Sequence, residues 1–165
     1  MGKLALIYAR SRNRYIGLNG QIPWSLPDEY AIFERTTLGH AVIMGRRTYE
    51  DHQYAFPNRL NIVVTRNEAY PLADGNLRSA SLGNAITMAA DYSDTTFVIG
   101  GTGLLAEAFP LCDVVFETVV DTDIEGDAKL PVFNFEGWQT EITERHSEDT
   151  KHAFAFTAFV HTRFT

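Results

Sequence analysis

Short, nearly continuous apolar runs recur along the chain at residues 4–9, 41–44, 60–65, 96–99 and 114–120. Runs this short and this apolar predict strands covered on both faces. Helix-like segments alternate with them at 27–38, 46–52, 82–92 and 103–109. Pro27 near the first position and Asp28 in the first turn mark the start of the first helix, and Ser25 is the nearest capping-type residue before it. Two more strand-like segments, 138–145 and 153–161, follow with no helix between them. They predict an antiparallel hairpin around the charged turn Ser147-Glu148-Asp149-Thr150-Lys151. The predicted fold class is therefore α/β: a mostly parallel central sheet, helices on both faces and an antiparallel C-terminal hairpin. No repeat, low-complexity tract or linker interrupts the pattern, and 67–76 reads as a surface loop. One domain over residues 1–165 is expected, long enough to bury a sizeable core.

Charge and cysteine usage narrow the setting. The net charge of −7 argues against general affinity for nucleic acid or anionic membrane, while leaving room for a local basic pocket. A single cysteine, Cys112, permits no intramolecular disulfide and reads as a small buried side chain. The apolar run at 4–9 is too short for a signal core or a membrane span. A cytoplasmic protein is expected.

Several clusters could carry chemistry. Glu29 stands in the first turn of the predicted helix, with Trp24, Leu26, Tyr30 and Phe33 around it in sequence. Glu29 and Phe33 are four apart and share a helix face. A carboxylate there is solvated, paired, or kept for a function. The segment Thr96-Phe97-Val98-Ile99-Gly100-Gly101-Thr102-Gly103-Leu104-Leu105-Ala106 is a strand entering a Gly-rich turn and a helix. Such a turn can offer backbone N–H groups to a phosphate, or simply allow close packing. Met44-Gly45-Arg46-Arg47-Thr48 begins another helix after a buried strand, and Arg66 follows the strand ending at Thr65. These arginines suit a phosphorylated ligand at strand ends, or lie on a solvated face. Arg59, in Pro57-Asn58-Arg59, could grip a carboxylate, although spacing alone does not single it out. His40, His52, His146, His152 and His161 show no metal-ligand spacing and read as surface or packing residues, so no metal is expected. No nucleophile–base motif is present. Hydride transfer with a bound nucleotide cofactor is the favoured chemistry.

Taken together, these motifs closely resemble the dihydrofolate reductase family. Ile16-Gly17 with Pro23-Trp24-x-Leu26-Pro27-x-Glu29 and Phe33 is the most specific stretch. Val42-Ile43-Met44-Gly45-Arg46-x-Thr48, Pro57-x-Arg59-x-Asn61, Val98-Ile99-Gly100-Gly101, Thr118, and Glu125-Gly126-Asp127 with Pro131 follow in order. The resemblance spans nearly the whole chain. It implies that Glu29 binds the pterin ring of dihydrofolate and helps to protonate it, with Trp24 holding a water beside it. Ile7, Tyr8, Tyr30, Phe33 and Phe56 would line the pterin and aminobenzoyl pocket. Arg59 would hold the α-carboxylate of the glutamate tail, and Thr118 would hydrogen-bond to Glu29 directly or through water. The implied cofactor is NADPH. Ala9, Ile16 and Gly20 would border its nicotinamide, with residues 17–22, from Gly17 onward, as a mobile lid. Gly45, Arg46, Arg47, Thr48, Thr65 and Arg66 would bind its adenosine and phosphate half. Ile99, Gly100, Gly101, Thr102, Gly103 and Leu104 would cradle its pyrophosphate, around a cis peptide between Gly100 and Gly101.

The resemblance also implies a monomer whose partners are dihydrofolate and antifolate inhibitors, with neither nucleic acid nor membrane involved. The chain departs from the family pattern at a few places. Leu105 replaces a common tyrosine, Asp51-His52-Gln53 replaces a more usual Ser-containing segment, and Thr102 replaces a third glycine. Tyr8 and Tyr30 are bulkier than usual, which predicts a narrowed pocket. Two alternatives share the fold: a related pteridine or pyrimidine reductase, and a non-catalytic folate- or nucleotide-binding protein.

Overall fold

The apolar runs become strands and the segments between them become helices, in an order that brings several strand ends to one edge. The protein is described from a computed structural model over residues 2–17, 24–52 and 54–164. In chain order the elements are β1 (Lys3–Ser11), β2 (Tyr15–Gly17), α1 (Pro27–Thr37), β3 (Ala41–Gly45), α2 (Arg46–His52), β4 (Leu60–Val64) and β5 (Asn76–Ser79). Then come α3 (Leu82–Ala89), β6 (Thr95–Gly100), α4 (Thr102–Ala108), β7 (Val114–Val120), β8 (Ala128–Lys129), β9 (Trp138–His146) and β10 (Phe156–Arg163). The main sheet has the order β5-β4-β3-β6-β1-β7-β10-β9. All pairs from β5 to β7 are parallel, and β10 runs antiparallel to both β7 and β9. This is the α/β architecture with a C-terminal antiparallel hairpin that the pattern predicts.

Strand alternation sorts the core into two layers. Ala5 and Ile7 of β1 face one side, with Val42, Met44, Val63 and Phe97, and are covered by Phe33 of α1 and Tyr49 of α2. Leu4, Leu6 and Tyr8 of the same strand face the other side, under Leu82 and Ala85 of α3 and Leu105 of α4. A smaller cluster of Leu26, Val120 and Phe156, with Trp24 and Ile32 against it, seals the flank beside α1.

Three strands lie outside the apolar pattern. Asn76–Ser79 is polar and joins the sheet as its edge, beside β4. Tyr15–Gly17 and Ala128–Lys129 pair only with each other. The start of α1 also differs from expectation. Ser25 does not cap it; the N-cap position is Leu26, with no side-chain cap bond. The Asp28 N–H instead donates to His152 Nε2 at 3.1 Å, a cap supplied from beyond β9. Gly17 ends β2, whereas the rest of the expected lid, Gly20 included, lies outside the described residues. Among the described residues no helix is long and apolar enough to cross a membrane.

Candidate active site

The C-terminal ends of the parallel strands, with α1 beside them, carry most of the residues that the motifs single out. Glu29 sits in the first turn of α1, half-buried. Burial pushes its carboxyl up to about 7, and no charged or hydrogen-bonding partner among the described residues opposes that. A carboxyl poised there can hold or give up a proton near neutral pH. Trp24 packs with the Leu26, Val120 and Phe156 cluster, and its Nε1–H is buried without an acceptor among the described residues. Thr118 of β7 is buried and in register with Ala9 of β1; Glu29 takes no hydrogen bond from it.

An aromatic wall adjoins this acid. Ile7, Phe33 and Phe56 belong to one apolar cluster, with the Phe33 and Phe56 ring centroids 5.2 Å apart. Tyr30 lies 5.9 Å from Phe33 and is half-exposed. It borders an open groove of about 480 Å³ together with Pro27, Ala31, Glu34, Leu38 and Arg59.

Arg59 is held in place before any ligand arrives. Its Nε donates to Thr37 Oγ1 at 2.8 Å, and its two terminal nitrogens donate to Pro57 O at 2.6 Å and Glu34 O at 2.7 Å. A guanidinium has five N–H groups, so one remains on each terminal nitrogen. That leaves a two-pronged donor suited to a carboxylate. The turn that presents it is clamped by buried Asn61. Its Oδ1 accepts from Phe56 N at 2.9 Å, and its Nδ2 donates to the Phe56 and Arg59 carbonyls at 2.9 and 3.2 Å. Asn58, at φ +60°, makes the bend between them.

Tyr8 requires a correction. Alternation along β1 turns its side chain away from Ile7, to the opposite face of the sheet. There its hydroxyl donates to Glu117 Oε2 at 2.7 Å. Its ring therefore neither lines nor narrows the pocket beside Phe33. Ile16 also packs against the Tyr8 side of the core, and Leu105 is fully buried there.

The cofactor-type residues meet where β4, β3 and β6 end. Gly45 pairs with Val64, and Met44 pairs with Gly100, so Gly45, Thr65 and the Gly100 turn lie at one edge. The Gly100–Gly101 peptide is cis. A Cβ on Gly100, at φ +150°, would meet Thr48 Oγ1 at 2.6 Å, so only glycine allows this approach. The next residues, Thr102 and Gly103, open α4 without a side-chain cap. Leu104 of α4 packs against the Tyr8-side core and Ile99 of β6 against the other layer. Arg46, Arg47 and Arg66 are exposed at this edge. Arg46 lies 3.9 Å from Glu50 and over the Tyr70 ring, while Arg47 and Arg66 have no ion-pair partner among the described residues. Uncapped N–H groups, a glycine-only cradle and free guanidinium groups fit a phosphorylated dinucleotide.

Sequence spacing missed His52, whose ring lies 4.4 Å from that of Phe56 on the aromatic wall. It also missed Glu117 and the contacts of His146 and His152, which form only through long-range packing.

A family model described as dihydrofolate reductase matches residues 3–163. The type 3 dihydrofolate reductase of Salmonella typhimurium is 37% identical over 152 residues, covering 92% of this chain and 93% of the relative. The dihydrofolate reductase of Bacillus subtilis is 32% identical over 93% of this chain and 90% of the relative. Among solved structures, that of Enterococcus faecalis dihydrofolate reductase complexed with NADP(H) and RAB-propyl superposes with a TM-score of 0.92, at 30% identity, covering 99% of this chain and 98% of that one. With these matches across the acid, the aromatic wall and the glycine cradle, the chain belongs to the dihydrofolate reductase family.

Proposed function

We propose that this protein catalyses the NADPH-dependent reduction of 7,8-dihydrofolate to 5,6,7,8-tetrahydrofolate, supplying one-carbon metabolism. The observation that carries the reading is α1 itself. One helix holds the half-buried acid Glu29, which has no partner among the described residues, the ring of Phe33, and the Glu34 carbonyl that anchors the Arg59 fork. An acid, an apolar wall and a two-pronged cation in that order match a pterin, a benzoyl ring and a carboxylate.

When bound, NADPH supplies the hydride that reduces C6 of the pterin. Glu29 pairs with the pterin amino group and ring nitrogen, and supports protonation at N5. Its elevated pKa keeps a proton available near neutrality. The buried Trp24 Nε1–H, lacking an acceptor among the described residues, suits a water bridging toward the acid. Thr118 orients the same acid or its water. Ile7, Phe33, Phe56 and Tyr30 exclude solvent from the rings, and Arg59 grips the α-carboxylate. Ala9, Ile16 and Gly17 would border the nicotinamide, as would Gly20, which lies outside the described residues. Arg46, Arg47, Thr48, Thr65 and Arg66 hold the adenosine half and favour a 2′-phosphate. Gly45 would join them, Gly100, Gly101, Thr102, Gly103 and Leu104 would cradle the pyrophosphate, and Ile99 would also contact the cofactor.

Antifolates compete for the same groove. The reading includes a single-domain monomer in the cytoplasm; Cys112 is a free buried thiol, as a reducing compartment maintains. Mixing the purified protein with dihydrofolate and NADPH tests the reaction. Loss of NADPH absorbance that depends on dihydrofolate is expected. Tight binding of both ligands without turnover would overturn the enzyme reading.

A further inference from the structure

At the start of α1, the turn between β9 and β10 folds back onto the helix and brings three metal-ligand side chains together. One ligand atom from each of Asp28, His146 and His152 lies within 4.8 Å of the other two. His146 Nε2 is 2.8 Å from Asp28 Oδ2, and His152 Nε2 is 3.9 Å from that same oxygen. A tetrahedral ion with bonds of about 2.0–2.2 Å has donor atoms about 3.3–3.6 Å apart. The first distance would have to lengthen by about 0.5 Å and the second to shorten by about 0.3 Å to enter that range.

The hydrogen bonding sets both rings up as ligands. His152 is buried, and its Nδ1 is 2.8 Å from Asp149 Oδ1, which fixes the proton on Nδ1. Its Nε2 then carries a lone pair, as its acceptance of the Asp28 N–H requires. This carboxylate–histidine arrangement is the one that orients metal-bound imidazoles. His146 has acceptors at both nitrogens: Ser147 O is 2.7 Å from Nδ1, and Asp28 Oδ2 faces Nε2. A neutral ring can donate to only one of them and a doubly protonated ring to both; an ion bound at Nε2 would take the place of the proton facing the carboxylate.

The turn is rigid enough to hold this geometry. Asp149 and His152 exchange backbone hydrogen bonds at 3.0 and 3.2 Å, and Lys151 N donates to Asp149 Oδ1 at 2.9 Å. Asp149 Oδ2 accepts no hydrogen bond among the described residues, lies 3.8 Å from His146 Nε2, and can take a fourth position or orient a water there.

We infer that Asp28, His146 and His152 form a binding site for one divalent transition-metal ion of the zinc class, joining the β9–β10 turn to the start of α1. Two imidazoles with carboxylate oxygens select such an ion over calcium or magnesium, which take oxygen-rich sites. An ion on the His152 Nε2 lone pair displaces the Asp28 N–H from it, so binding exchanges this cap for the metal bond. The inference is independent of the reaction proposed above.

Calorimetric titration of the metal-free full chain with Zn²⁺ tests it, alongside thermal melting with Zn²⁺ and with EDTA. One ion per chain is expected, with a rise in Tm of about 3 °C or more at saturation that EDTA reverses. His152 also caps α1, so the deciding variant is His146→Gln, at the turn surface. It should weaken Zn²⁺ binding by about tenfold or more. It should also abolish the visible ligand-field bands of the Co²⁺-loaded protein. No saturable binding of Zn²⁺, or equal binding by wild type and a folded His146→Gln protein, overturns the site.

Discussion

At the scale of single residues, burial with no partner among the described residues decides what Glu29 can do. With its carboxyl pushed up to about 7, the protonated form dominates below that pH and is lost above it. Glu29→Gln should lower kcat at pH 7 by about 100-fold or more, with the deficit shrinking in acid, where solvent protonates the substrate. A pH–rate profile of the variant that matches wild type would remove the role. The same burial has a stability cost. The folded value lies above the ordinary 4.5, so the folded state holds this proton more tightly than the unfolded chain does. Stability is therefore complete below about 4.5 and falls as pH rises through about 7, by at most about 3 kcal/mol. Urea midpoints at pH 8 should accordingly be higher for Glu29→Gln than for wild type. Arg59 depends on shape as well as charge. Arg59→Lys keeps the cation but loses the fork, so KM for dihydrofolate should rise about tenfold while kcat changes less. An unchanged KM would argue against the carboxylate grip. Sequence placed Glu29 and Phe33 on one helix face, but only packing shows that, among the described residues, the acid lacks a partner and Arg59 keeps two free N–H groups.

At the scale of elements, strand ends and helix starts do the positioning. Gly100 closes β6 against Thr48 at the start of α2, and its missing side chain is a steric necessity. Gly100→Ala should reduce NADPH affinity by about tenfold or more, since the added methyl displaces the turn that faces the phosphates. Fluorescence titration of the cofactor would read this, and wild-type affinity would show the cradle to be tolerant. The start of α1 shows the limit of local signals. Pro27 and Asp28 marked the helix correctly, whereas Ser25 does not cap it, because His152 reaches the Asp28 N–H across 124 positions of sequence. The edge strand β5 went unseen for a related reason. Its polar sequence earns its strand geometry from hydrogen bonds to β4, which no local pattern records.

At the scale of the molecule, the sheet separates ligand chemistry from a polar network behind it. Glu117 lies on the face away from Ile7. It accepts from Tyr8 and Arg10 at 2.7 and 3.0 Å and meets His161 Nε2 at 3.1 Å. Burial pushes its carboxyl upward, but the His161 hydrogen bond, the Arg10 guanidinium and the Tyr8 hydroxyl outweigh that and hold it near about 2. The folded value is below the ordinary 4.5, so the contribution to stability is present above 4.5 and is lost as pH falls toward about 2. Denaturant midpoints should fall through that window in the wild type. Glu117→Gln should lower stability at pH 7 by about 2–4 kcal/mol and flatten the acid limb. An unaltered limb would assign acid unfolding to other carboxylates.

Alternating apolar runs determined that the chain makes a mostly parallel sheet with helices on both faces, because burial on two sides demands such runs wherever a parallel strand forms. Ordered motifs also pointed to Glu29, Arg59 and the Gly100 turn, since their residue types follow from local chemistry. The tertiary structure alone decided which side of β1 Tyr8 occupies, what caps α1, and which histidines meet Asp28. Those outcomes depend on contacts between residues far apart in sequence, and their energies exist only once the sheet has closed the distance.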